Sequence, residues 1–83
     1  MNRTLPALNL VHAERERQDA LRDAGKFAAT CADEVPDNQK YLILGEEFGE
    51  VARALNESEG RERLRQELVE VAAVAVAWVE ALL

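Results

Sequence analysis

With 83 residues, 48% of them hydrophobic and only four aromatic, the chain has the length of one small domain and enough apolar content to fold. Its net charge of -6 argues against a duplex nucleic-acid partner, because phosphate binding needs a basic stripe. The longest apolar run, Val71 to Val79, is too short to span a bilayer and no signal peptide opens the chain, which points to a cytoplasmic protein without a membrane partner.

Three helices are predicted. The first runs from about Leu8 or Asn9 to Ala24, with Gly25 as its stop. Leu10, Ala13, Ala20, Leu21 and Ala24 form a thin apolar stripe, while the acids and arginines from Glu14 to Asp23, Arg15 among them, read as a solvated face laced by i,i+4 pairs. His12 reads as a surface or rim residue. A loop from Lys26 to Pro36 follows. It carries Cys31, whose lone thiol suits a reducing compartment and has no partner motif. Asp37 is the expected N-cap of a second helix, from Asn38 to about Leu55, with apolar positions Tyr41, Leu44, Phe48, Val51 and Leu55 at helical spacing. Gly45 and Gly49 each cost that helix up to about 1 kcal/mol relative to alanine; close approach of another helix and plain tolerance are the two readings.

Asn56 to Gly60 is a turn by composition. The third helix takes Arg61 to the end, on the periodicity of Leu64, Leu68, Val71, Val74 and Trp78. After Glu70 it is apolar nearly all round, and such a helix must be buried. Two partners of this size, one barely apolar, cannot enclose it. The expectation is therefore a single all-α domain over residues 1–83, a helical bundle completed by homo-oligomerisation as a dimer or tetramer.

Two glutamate pairs stand out, Glu47 with Glu50 and Glu67 with Glu70, each presenting two carboxylates from one helix face. At ~100° per residue, Glu67 falls on the line of Leu64, Val71, Val74 and Trp78, and Glu47 on the line of Lys40, Leu44, Val51 and Ala54. Glu70 and Glu50 flank those lines in the same sense. A carboxylate turned toward an apolar core loses several kcal/mol of solvation unless compensated, and nearby cations (Lys40, Lys26, Arg53) are too few for four acids. A hard divalent ion is the economical compensation, and the absence of neighbouring His or Cys favours Mg²⁺ or Mn²⁺ over zinc. Ordinary solvent-facing glutamates are the alternative.

The run Glu46-Glu47-Phe48-Gly49-Glu50, followed seventeen residues beyond Glu50 by Glu67-Leu68-Val69-Glu70, resembles the paired acidic motifs of the MazG-like all-α nucleoside triphosphate pyrophosphohydrolases. Leu42-Ile43-Leu44-Gly45, Leu64-Arg65-Gln66, Glu16-Arg17-Gln18 and Lys26-Phe27 extend the resemblance over roughly Glu14 to Trp78. It implies a MazG-like bundle that hydrolyses a nucleoside or deoxynucleoside triphosphate between the α and β phosphates, as nucleotide-pool housecleaning. It also implies Mg²⁺ held by Glu47, Glu50, Glu67 and Glu70, with Glu46 as a further ligand or, like Glu47, a base toward the water. Lys40 and Lys26 would reach phosphates, Phe27 would stack on the base and Gln18 would meet its edge. For Lys26, Phe27 and Gln18, surface charge, core plug and exposed polar group are the competing readings. Glu70 replaces the family's usual aspartate, and the chain stops at Leu83, earlier than a typical member. Both departures keep open a non-catalytic relative, a helical oligomerisation or nucleotide-sensing module. A ligand-free acidic adaptor would explain the charge but not why Glu47 and Glu67 interrupt apolar lines.

Overall fold

The computed structural model describes residues 2–83 and contains three helices: α1 (Thr4–Asp23), α2 (Asp37–Asn56) and α3 (Arg61–Ala81). Helix α1 begins at Thr4, well before the expected Leu8 or Asn9. Pro6 stands in its first turn, where the missing N–H has no intrahelical partner to lose, and the Thr4 N–H donates to Asn2 Oδ1 at 2.8 Å. Its end follows the expected stop. Gly25 takes φ 78°, the Lys26 N–H donates to the Leu21 carbonyl at 2.8 Å and the Gly25 N–H to the Arg22 carbonyl at 2.9 Å. This is a Schellman closure, with glycine supplying the left-handed residue.

Helix α2 closes the same way, with the Glu59 N–H on the Ala54 carbonyl at 3.0 Å and the Ser58 N–H on the Leu55 carbonyl at 3.3 Å. Here the left-handed residue is Ser58, at φ 52°, where a Cβ is unfavourable. At its start, Pro36 rather than Asp37 is the N-cap. Asp37 is the first helical residue, and its Oδ1 instead accepts the Trp78 indole N–H at 2.9 Å, tying the start of α2 to the end of α3.

Helix α3 packs against α2 on one side and α1 on the other, while α1 and α2 do not pack on each other. The α2–α3 side is apolar. Val74, Ala77 and Cys31 are buried, with Ile43, Leu44 and Trp78 packed against them. The α1–α3 side is held differently. Arg15, only 5% exposed, donates from Nε to Glu80 Oε2 at 2.7 Å and from Nη2 to Glu80 Oε1 at 3.1 Å, while its Nη1 donates to Gln18 Oε1 at 3.0 Å. Arg15 and Gln18 are the buried residues of α1; Leu10, Ala13 and Ala20 are exposed. The expected roles of stripe and charged face are thus reversed at this contact, because a bidentate guanidinium reaches a carboxylate on α3 that an alanine stripe cannot engage. In the loop, Arg22 donates to Asp33 Oδ1 at 2.9 Å and the Thr30 N–H to Asp33 Oδ2 at 2.7 Å, which together hold the Asp33 carboxyl below the usual range, the Thr30 N–H more strongly.

On α2 the inward line is Lys40, Glu47, Val51 and Ala54, with Leu44 half-buried. Tyr41, Phe48 and Leu55, expected in the core, are 67%, 68% and 60% exposed. Helix α2 has two apolar faces, and the three-helix arrangement covers only one. Among the described residues no helix is long and apolar enough to cross a membrane.

Candidate metal centre

Glu47 comes from α2, and Glu67 and Glu70 come from α3. One carboxylate oxygen from each lies within 4.8 Å of the other two. Glu67 is only 2% exposed; its Oε2 has no hydrogen-bond partner, and its Oε1 lies 3.0 Å from Arg63 Nη2. A buried carboxylate oxygen left without a donor is expensive, and one half-exposed arginine is partial compensation.

The electrostatics follow from the crowding. Burial first, then the charge of Glu67 and a hydrogen bond with it, and then Glu47 and Glu14, push the Glu70 carboxyl up to about 7. Glu47 is also raised, by burial first and then by Glu67 and Glu50. Three like charges in this space favour either a shared proton or a cation. The orphaned Glu67 oxygen and an all-carboxylate donor set fit a hard, oxygen-seeking divalent ion.

Because α1 and α2 do not touch, a cleft of about 320 Å³ opens between them, with Val74 and Glu70 of α3 beneath and loop residues Phe27 and Thr30 alongside. Glu47 reaches it from α2; Glu14, Arg17 and Gln18 reach it from α1. The cleft thus brings together four of the expected site residues: Glu47, Glu70, Gln18 and Phe27. Glu67 completes the trio without lining the cleft, and the remaining expected residues lie elsewhere. Glu50 stands outside the carboxylate trio, with its Oε2 3.4 Å from Arg53 Nη1, and Glu46 is exposed. Lys26 is exposed and does not line the cleft. Lys40, 3% exposed, packs inward beside Cys31, also away from the lining. The Cys31 thiol is pushed up by burial, with Lys40 and Arg15 opposing.

Sequence reasoning missed Glu14 and Arg17. Arg17 donates from Nε and Nη2 to the two Glu14 oxygens at 2.8 and 2.9 Å, and it feels the charges of Glu70 and Glu47. The available signal was their spacing, since Glu14, Arg17 and Gln18 at i, i+3 and i+4 share one face of α1.

No protein-family model matches this chain, and no curated protein and no solved structure matches it significantly. The site stands on its residues and their geometry.

Proposed function

We propose that this protein is a Mg²⁺-dependent nucleotide pyrophosphohydrolase, with Mn²⁺ as an alternative ion, that cleaves a nucleoside or deoxynucleoside triphosphate to the monophosphate and pyrophosphate. It would act as a homodimer or tetramer in clearing nucleotide pools. The carrying observation is the convergence of Glu47, Glu67 and Glu70 beside a cleft that also presents an arginine, an amide and an aromatic ring. The resemblance of both acidic runs to the MazG-like motifs supports the same reading.

In this account Glu47, Glu67 and Glu70 hold the ion, and Glu50 joins them only by giving up Arg53. The bound ion supplies charge neutralisation at the phosphates and acidification of a water. Arg17, released from Glu14, offers its planar fork to a phosphate, a role the sequence resemblance gave to Lys40 and Lys26. Phe27, 40% exposed at the cleft, stacks on the base, and Gln18 presents its amide to the base edge. The water oxygen bonds to the α phosphorus, the bridging oxygen leaves with pyrophosphate, and Glu47, which lines the cleft, takes the proton, whereas Glu46 stands outside it.

The test is incubation with each NTP and dNTP plus Mg²⁺, followed by product analysis. Monophosphate and pyrophosphate should appear with at least one substrate and vanish with Glu47→Ala. Orthophosphate as the only product, or activity indifferent to that change, refutes the proposal. A second reading, a non-catalytic nucleotide-sensing or oligomerisation module, is favoured by Glu46 and Glu50 standing outside the trio. Stabilisation by metal and nucleotide without turnover would select it.

A further inference from the structure

The cleft has two unlike ends. Each helix passes from one to the other in a single turn, about 6 Å: Glu14 to Gln18 on α1, Glu47 to Ile43 on α2, and Glu70 to Val74 on α3. The acids and Arg17 mark the carboxylate end. At the far end Ile43, Val74 and Phe27 supply apolar walls, and the polar side chains are those of Thr30 and Gln18. The Thr30 hydroxyl is engaged within the loop, donating to Asp33 Oδ2 at 3.3 Å and accepting from the Ala32 N–H at 3.2 Å. Gln18 is therefore the group at this end with hydrogen-bonding capacity to offer a ligand.

Arg15 decides which arm of that amide faces the cleft. Its Nη1 donates to Gln18 Oε1 at 3.0 Å. A guanidinium has N–H donors and no acceptor, so an amide turned the other way would set N–H against N–H. Arg15 is itself held fast, nearly buried, with Nε and Nη2 donating to the two oxygens of Glu80 at 2.7 and 3.1 Å. The Gln18 oxygen is thus committed to Arg15. The amide nitrogen has no protein partner among the described residues and is not one of the fully buried orphans, so it meets solvent, and the cleft is the opening that Gln18 lines.

We infer that Gln18, oriented by Arg15, makes the far end of the cleft a hydrogen-bond donor, so that the protein prefers nucleotides whose base carries an oxo group at its outer edge (6-oxopurines and 4-oxopyrimidines) over their amino counterparts. This rests on the reading of the cleft as a nucleotide site. With phosphates at the carboxylate end, the base edge remote from the sugar reaches Gln18, and that edge carries the substituent at C6 of a purine or C4 of a pyrimidine. An oxo group accepts from the amide N–H. An amino group sets donor against donor and leaves the amide unpaired at a position only 8% exposed. Arg15 touches the base only through Gln18 and is a positioning residue.

The test compares kcat/KM in Mg²⁺ for dITP against dATP and for dUTP against dCTP, pairs that differ only in the oxo or amino group and the proton on the adjacent ring nitrogen. The oxo member should be favoured about tenfold or more, in whichever ring size the cleft accepts. Gln18→Glu keeps one oxygen on Arg15 and turns the second, an acceptor, toward the cleft, so the preference should invert. Arg15→Met retains bulk but no donor, frees the amide to turn, and should bring the ratios toward one. Arg15→Lys, which keeps a donor, should preserve the oxo preference; a merely structural Arg15 would lower activity on all four substrates alike. If Arg15→Met fails to fold, the wild-type ratios and Gln18→Glu carry the decision. Calorimetry with the α,β-methylene analogues of the same four nucleotides separates recognition from hydrolysis. Oxo-selective binding without turnover refutes the pyrophosphohydrolase reading and leaves this inference standing. Turnover with equal or amino-favouring ratios in the wild type, or an oxo preference unmoved by Gln18→Glu, overturns the inference alone, and neither turnover nor binding overturns both.

Discussion

Replacing Glu67 by glutamine should move stability in opposite directions without and with metal. The Glu67 ligand oxygen lies within 4.8 Å of those of Glu47 and Glu70, and two full charges at that separation repel by about 3 kcal/mol at an effective dielectric near 20. Glu70, with its carboxyl at about 7, is only partly ionised at neutral pH, and solvent reaches both neighbours, so the relief realised shrinks to about 1–2 kcal/mol. Against this stands the lost Arg63 pair, an i,i+4 contact to a half-exposed arginine worth about 0.3–0.5 kcal/mol. In EDTA, Glu67→Gln should therefore be more stable than wild type by about 1 kcal/mol, a melting shift of roughly 4–8 °C for a domain this small. In excess Mg²⁺ the order should invert, since wild type gains about 2.7 kcal/mol at a hundredfold excess over Kd and the variant gains little. Far-UV circular dichroism melts at one fixed protein concentration, in EDTA and in Mg²⁺, measure both. A variant that melts below wild type in EDTA, or that shows the wild-type Mg²⁺ shift, refutes the reasoning.

Three further outcomes follow from the same contacts. Metal-free stability should fall as pH rises. The folded Glu70 carboxyl at about 7 lies above its ordinary 4.5, so its contribution is full below 4.5 and is lost as pH rises through 7, with Glu47 acting in the same direction. Urea midpoints in EDTA should be higher near about pH 5.5 than near about pH 8, a window above the lowered carboxyls of Asp33 and Glu80; a flat or rising profile contradicts this. Ser58→Gly relieves a left-handed serine and should stabilise by about 1 kcal/mol, read as a raised urea midpoint, whereas an unchanged or lowered midpoint counts against the strain. Arg15→Ala removes the bidentate contact to Glu80 and should destabilise by about 2 kcal/mol. Hydrogen exchange should rise in α1 before α2 and α3, and uniform protection would show that α1 is held by other contacts.

Helix count and the turn at Asn56 to Gly60 were legible because they rest on periodicity and on glycine at fixed places, whereas the α3 face was legible only in part, since Leu68, Val76 and Val79, expected to be covered, are 50%, 40% and 56% exposed. The line through Glu67 was legible for the same reason, since an acid between Leu64 and Val71 has only one direction to face. What escaped depended on competition between faces. Helix α2 offers two apolar lines, and pattern alone does not say that the one carrying Lys40 and Glu47 packs on α3 while Tyr41, Phe48 and Leu55 stay outside. Helix α1 docks through Arg15, and a charged residue chosen for one bidentate partner 65 positions away leaves no local trace. Glu50 shares the spacing of Glu70 but not its fate, because Arg53, three residues on, offers it a surface partner.

The most direct test of the central claim is a Mn²⁺ titration of the metal-free protein, followed by electron paramagnetic resonance of the free ion. One saturable site per chain is expected, lost in Glu47→Gln and Glu67→Gln and retained in Glu46→Gln. No saturable binding, or binding that survives both of the first two changes, would contradict a metal centre built from Glu47, Glu67 and Glu70.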